Sequence, residues 1–395
     1  MAIDLVGFGI ILPVLPQYAE RYGASPATIG VLFASFSVAQ LIFAPLWGAA
    51  SDRVGRKPVL ILSLAGTALG SLLTGLAGSL PLLFVGRLLD GASGASVSVA
   101  QASAADLAAP GERARLFGLL GAAFGFGFVA GPALGALATL VDPRLPFFVA
   151  AGLAGVNALV AVRRLPETNP RHVAAARPQV VLADGLGAEG LGGLDPGAAV
   201  APPVSAPPAG ADGHHVPGGR ATLVRLVMVA FGSLVAFSAF EATFALFGER
   251  RLGFRPASTG FVFMVIGLAL VLVEGGLVRP TVRRLGETRT LRLALVVNAA
   301  GLLLLSAVHS WWLLVPALAA LVVGQGLSMP SLTAATATVA PEGRRGGILG
   351  LQQSAGGLAR VLGPVLGGLA FQHLGLPVPY VAGAVVMLAC AALLL

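Results

Sequence analysis

A chain of 395 residues with 56% hydrophobic and only 11% charged residues cannot present the surface of a water-soluble protein of that size, because soluble domains carry about 25% charged residues. The formal charge of +8 would suit nucleic acid. However, the 25 basic residues, of which only Lys57 is not arginine, sit in short clusters between apolar runs without interleaved stacking aromatics, so no nucleic-acid partner is expected. A lipid bilayer as solvent explains both features.

Mostly apolar stretches long enough to cross a bilayer, roughly 17–25 residues, are expected at 2–19, 28–50, 59–78, 81–105, 116–140, 145–163, 223–247, 257–278, 290–308, 311–338, 346–371 and 378–395. The first begins almost at Met1 and runs into Pro13 and Pro16 without a basic leader, so it reads as a span and not as a cleavable signal. Tyr18 and Tyr22 after it, and Trp311 with Trp312 later, read as interfacial anchors. Cys390 is alone in an apolar run and cannot form an internal disulfide. Eighteen of the 25 basic residues lie in or beside loops 2–3, 4–5, 6–7, 8–9 and 10–11, and five in or beside the others. That asymmetry places both termini in the cytoplasm of a plasma-membrane protein. The excess of arginine over lysine, with abundant Ala, Gly and Pro, points to a GC-rich bacterial source.

The stretch 166–220 holds 9 Pro and 10 Gly in 55 residues, a composition typical of chain without a packed core. It divides the chain into a six-span half at 1–165, a disordered cytoplasmic linker at 166–222 and a second six-span half at 223–395. His214 and His215 within it read as solvated, so no metal and no cofactor is expected. The halves repeat one another: ARLFGLLGAAFGFGFVAGPALGALA (114–138) aligns with GGILGLQQSAGGLARVLGPVLGGLA (346–370) at a constant offset. Gly118, Gly131, Pro132 and Gly135 then fall on Gly350, Gly363, Pro364 and Gly367. The expected fold is an all-α membrane protein of twelve helices in two parallel-repeat halves, with a substrate site between them.

Two segments carry the sharpest signals. The loop GAASDRVGRK (48–57) sets Gly48, Asp52, Arg53, Gly55, Arg56 and Lys57 at fixed spacing. The positive-inside rule explains its basic residues but neither the acid nor the two glycines. In span 5, Gly118, Gly127, Gly131, Pro132 and Gly135 form a small-residue pattern that allows close helix approach, and close packing alone would also account for it. With the first span, Asp4 to Pro16, and the segments GRLLDGASGAS (86–96) and GGLVRPTVRRLGE (275–287), these motifs resemble the major facilitator superfamily. Within it the likeness is to the drug:proton antiporter group and the bacterial tetracycline/proton antiporters, over essentially all twelve spans. The resemblance implies that the 48–57 loop latches the halves on the cytoplasmic side, with Asp52 capping span 11 near Gly346 and Arg56 pairing with Asp106. It implies an exchange role for the span 5 motif. The chain departs from the family pattern where acids are usual, at Gly70 in span 3 and Asn298 in span 9, which puts tetracycline itself in doubt as cargo.

Ionisable groups inside spans are costly and usually face a cavity or a partner. Asp4, Arg87, Asp90, Glu241 and Glu274 are therefore the proton-coupling candidates. For Asp90 the plain alternative is a local ion pair with Arg87 one turn earlier; Asp4, Glu241 and Glu274 could instead lie near membrane interfaces. Arg360 is expected to snorkel to the cytoplasm. Gln40, Gln101, Asn298 and Gln325 are candidate cavity-lining residues. The function expected is proton-driven export of small amphipathic organic molecules by a monomer. Nutrient symport or uniport on the same fold and a non-transporting receptor are the alternatives. No activated nucleophile or metal cluster suggests an enzyme.

Overall fold

The computed structural model describes residues 1–94, 96–107, 113–169, 219–340 and 345–395, and among them the secondary structure is helical without strands. In chain order the helices are α1 (Ala2–Glu20), α2 (Pro26–Val54), α3 (Arg56–Leu76), α4 (Leu80–Ala92), α5 (Ser96–Leu107), α6 (Arg113–Val141) and α7 (Leu145–Arg164) in the first half. The second half holds α8 (Gly219–Leu252), α9 (Pro256–Gly276), α10 (Val278–Leu285), α11 (Glu287–Ser306), α12 (Trp311–Val339), α13 (Arg345–His373) and α14 (Val378–Ala392). Helix is the form in which each apolar segment satisfies its own backbone without water. Proline at the first or second position starts α2, α4, α7, α9 and α14, where its missing N–H has no intrahelical partner to lose. Eleven described helical stretches are long and apolar enough to cross a membrane, α4 and α5 counting as one, and α14 is a shorter apolar helix.

The expected spans agree with these helices apart from local differences. The single span expected at 81–105 is interrupted: α4 ends at Ala92 and α5 begins at Ser96. Glycines at 91 and 94 weaken the helix there, and side chains take up the freed carbonyls. Trp47 Nε1 donates to the Ala92 carbonyl at 2.6 Å, Gln40 Nε2 donates to that of Gly94 at 3.3 Å, and Ser63 Oγ donates to that of Ser93. The second half begins in helix at Gly219, a turn before the expected boundary at 223. Residues 170–218, including His214 and His215, lie outside the described residues. Tyr18 is not an interfacial anchor: it is buried against Phe147, ring centroids 4.6 Å apart, while Trp312 is exposed.

Apolar side chains such as Ile42, Leu46, Leu137, Leu140 and Leu272 point outward, the surface that lipid would solvate. Close backbone contact then has to hold the helices together, because lipid supplies no hydrophobic drive between them. An added Cβ at Gly131 on α6 would lie 2.6 Å from Gly9 Cα and 2.7 Å from the Val6 carbonyl of α1. The repeat reproduces this: one at Gly363 on α13 would lie 2.6 Å from the Val235 carbonyl of α8. Two seams join the halves. On α9, Gly260 abuts the Pro132 carbonyl and Ala136 of α6, and Gly267 the Phe128 carbonyl; Gly30 of α2 abuts the Pro364 carbonyl of α13, and Gly368 that of Pro26.

Candidate functional site

These seams enclose a cavity of about 760 Å³ between the halves. Its wall carries eight phenylalanines (Phe8, Phe33, Phe36, Phe124, Phe128, Phe237, Phe240 and Phe263) together with Asp4, Asp90, Glu241, Glu274, Arg87 and Arg360. Four carboxylates against two guanidiniums leave a formal excess of negative charge in a mostly aromatic chamber. All five proton-coupling candidates and all four polar candidates, Gln40, Gln101, Asn298 and Gln325, line it.

The charged groups fall into two sets, one on each half. On the first, Arg87 Nη1 donates to Asp90 Oδ2 at 2.8 Å, and its guanidinium carbon stands 4.3 Å from the centroid of the Phe36 ring. Both residues are buried, at 3% and 6% exposure. Asp4 accepts a hydrogen bond from Ser96 Oγ, the first residue of α5. The interruption of span 4 thus turns a helix N-terminus and its hydroxyl toward a carboxylate of α1, an arrangement that favours negative charge there. On the second half, Glu241 and Arg360 attract each other electrostatically across the wall without an ion pair within 4 Å. Arg360 does not snorkel away from the site; it faces this chamber. Glu274 lies on the last turn of α9.

The departures from the family pattern are also packed sites. A Cβ at Gly70 would lie 2.8 Å from the Asp90 amide nitrogen and 2.9 Å from Asp90 Cβ, so residue 70 can carry no side chain without moving α4. In the second half Gly324 sits equally close to Asn298, whose Nδ2 donates to Gln325 Oε1 at 3.3 Å. The first half keeps its acid on the fourth span, and the second half has an amide pair in the corresponding place.

The cavity is closed at the face carrying loops 1–2 and 7–8. There Arg250 Nη2 donates to Glu20 Oε1 at 3.0 Å, Gln17 Nε2 to the Phe254 carbonyl at 3.3 Å, and the Ala27 amide to Gln372 Oε1 at 3.2 Å. Each contact ties one half to the other. At the opposite, basic face a Cβ at Gly48, Gly121, Gly347 or Gly350 would meet nothing within 4 Å. The chamber therefore opens toward the basic face.

That face carries the 48–57 loop. Gly55 ends α2 with a φ of +111°, a conformation open to glycine, and the Glu167 carboxylate occupies the space its side chain would need. Arg56 Nη1 lies 2.6 Å from Asp52 Oδ1, and its Nε donates to Asp106 Oδ2 at 3.0 Å. Arg53 is exposed and Lys57 half-buried. Asp52 does not seal the end of span 11 in this conformation: its side chain is 60% exposed and turned to Arg56. In span 5, Gly127, Gly131 and Gly135 all face α1, whereas the side of Gly118 lies outside the described residues.

Glu167 was missed by the sequence reading, which assigned it to the linker. Its Oε1 accepts the amides of Arg56 (2.8 Å), Thr168 (2.9 Å) and Asn169 (2.9 Å), and its Oε2 accepts that of Lys57 (3.1 Å). Asn169 Nδ2 donates to the carbonyls of Ser51 and Asp52. Residues 166–169 are thus packed onto the loop, with Glu167 capping the N-terminus of α3. The available signal was an acid just after span 6, on the face where the bare amides of α3 begin. Burial alone would raise its pKa, but the four amide donors hold it below the usual glutamate value. A lowered folded pKa adds stability above the unfolded value, lost as pH falls through the folded one. Glu167→Gln is expected to cost about 1 kcal/mol, the scale of a helix cap, at neutral pH and less in acid; thermal unfolding at several pH values measures it.

A family model described as Major Facilitator Superfamily matches residues 1–293 and 275–395. The tetracycline resistance protein, class D, of Salmonella ordonez is 32% identical over 374 residues, covering 94% of this chain and 87% of that protein. Multidrug resistance protein 2 of Bacillus subtilis (strain 168) is 29% identical, covering 98% and 90%. Among solved structures, the nucleoside transporter NupG superposes with a TM-score of 0.75 at 12% identity, and the human organic anion transporter MFSD10 (TETRAN) with 0.68 at 24%, each covering all of this chain and 96% of its own. With a helical fold, a repeated span 5 and a chamber between halves, the match over the whole length makes this chain a member of the Major Facilitator Superfamily.

Proposed function

We propose that the chain is a proton-coupled exporter of small amphipathic organic molecules, working as a monomer in a bacterial cytoplasmic membrane by alternating access. Its basic face and both termini face the cytoplasm, and residues 166–222 join the halves there. The observation that carries this reading is the chamber itself: eight aromatic rings to hold an apolar body, and unbalanced carboxylates to hold a cation or a proton. The relatives named for tetracycline and multidrug resistance support export of such molecules. Gly70 and Asn298 stand where the resemblance expects acids, so a general amphipathic cargo fits better than tetracycline.

In this mechanism the open basic face admits substrate from the cytoplasm while Asp4 and Glu241 are ionised. Closing the basic face engages the 48–57 loop, with Arg56 held between Asp52 and Asp106, and parting the Glu20–Arg250 contact opens the other face. Protons entering there neutralise the carboxylates, release the substrate and allow the return.

Everted vesicles test the reading. An imposed pH gradient, acid inside, is expected to drive uptake of a fluorescent cationic drug, and Asp4→Asn is expected to abolish it. Uptake that ignores the gradient would refute proton exchange. Gradient-driven movement in the reverse sense would instead favour nutrient symport.

A further inference from the structure

A second concave site lies on the outer surface, away from the chamber. Leu285, Arg289, Arg292, Leu293 and Val296 line a groove of about 500 Å³ where α10 gives way to α11. Residues 289, 292, 293 and 296 recur at helical spacing and form one stripe on α11. Its polar end holds two guanidiniums. Its inner end holds Leu293 and Val296, both exposed on a helix apolar enough to span a membrane. Seven residues of helix rise about 10 Å, roughly the step from headgroup depth into the acyl chains.

The surrounding charge is one-sided. The short helix α10 buries none of its residues and adds Arg279, Arg283 and Arg284. Glu287, the carboxylate of this stretch, accepts a hydrogen bond from Thr338 Oγ1. Arg292 is held in place by its Nη2 bond to the Leu394 carbonyl at 2.6 Å, while its Nε has no hydrogen-bond partner in the structure. A fixed arginine beside an exposed one, above an apolar strip, matches a phosphodiester with attached chains and not a free anion.

We infer that this groove binds an anionic phospholipid, with Arg289 and Arg292 on the headgroup phosphate and Leu293 and Val296 along an acyl chain. The site is independent of the substrate and of proton coupling.

The test uses the full chain purified in neutral detergent and titrated with phosphatidylglycerol, phosphatidylcholine or inorganic phosphate, followed by thermal unfolding and native mass spectrometry. Phosphatidylglycerol is expected to raise the unfolding midpoint and remain bound, and the other two to do neither. Arg289→Gln is expected to weaken the apparent affinity about five-fold, the scale of one basic residue at a charged membrane surface. Arg163→Gln, which removes a charge from the same face, is expected to leave it unchanged. Arg289 is exposed, so its variant tests binding even if an Arg292 variant fails to fold. Equal responses to both lipids, equal losses in the two variants, or a full response to inorganic phosphate would each overturn the assignment.

Discussion

Arg87→Leu is expected to lower the stability of the protein by about 3–5 kcal/mol, and Arg87→Leu combined with Asp90→Leu is expected to recover most of that loss. Both side chains are nearly free of solvent, and a 2.8 Å ion pair joins them. Removing one partner leaves a buried charge uncompensated, which costs far more than the pair contributes, whereas replacing both with apolar groups is often close to neutral. Surroundings at Asp90 sharpen the expectation, because the backbone of Gly70 already presses on it and leaves little room for relaxation or water. Thermal unfolding in detergent, run as a double-mutant cycle, measures the coupling. The same double variant separates two roles. If the pair only holds α4 together, the refolded variant still shows gradient-driven uptake in vesicles. If Asp90 carries protons, the variant is stable but inactive, which is the outcome expected from its place in the chamber wall.

The fold was legible for reasons that are local. Apolar length, proline at helix starts and arginine between runs each leave a mark at known positions, and lipid enforces helix wherever they occur. The repeat between 114–138 and 346–370 revealed the two-half arrangement, and Gly131 and Gly363 now have the same packing role. Chamber residues were legible because a charge within an apolar run stands out: Asp4, Arg87, Asp90, Glu241 and Glu274 all reach one cavity. What escaped depends on partners distant in sequence. The interruption at 93–95 is held by Gln40, Trp47 and Ser63 from two other helices, which no window around Gly94 contains. Glu167 lies about 110 residues from the amides it caps. Tyr18 carries the composition of an interfacial anchor, but its environment is set by Phe147. Arg360 was assigned by its length and charge, whereas the attraction of Glu241 decides its direction.

The two glycine patterns are expected to respond oppositely to one added side chain. Gly131→Val places branched carbons where the α1 backbone already lies, within 2.7 Å of the first new atom, so the helices must separate. Overpacking a tight contact costs roughly 1–3 kcal/mol, and the upper end applies here because the neighbour is backbone and cannot rotate away. The repeated geometry makes the same loss expected for Gly363→Val, whose Cβ would approach the Val235 carbonyl. Equal losses would mean that the span 5 pattern acts first as a packing device common to both halves, whatever else it contributes to exchange. Gly48 is different. A Cβ there meets open space, so Gly48→Val is expected to leave thermal unfolding nearly unchanged. If the 48–57 loop closes the basic face during transport, that open space exists in only one of two conformations, and the valine obstructs the other. Vesicle uptake by Gly48→Val is then expected to fall at least ten-fold while the protein remains as stable as its parent, a change of about 1.4 kcal/mol or more in the balance between states. Parental transport by this variant would remove the closing role from the loop and leave it as a topology signal with a well-formed turn.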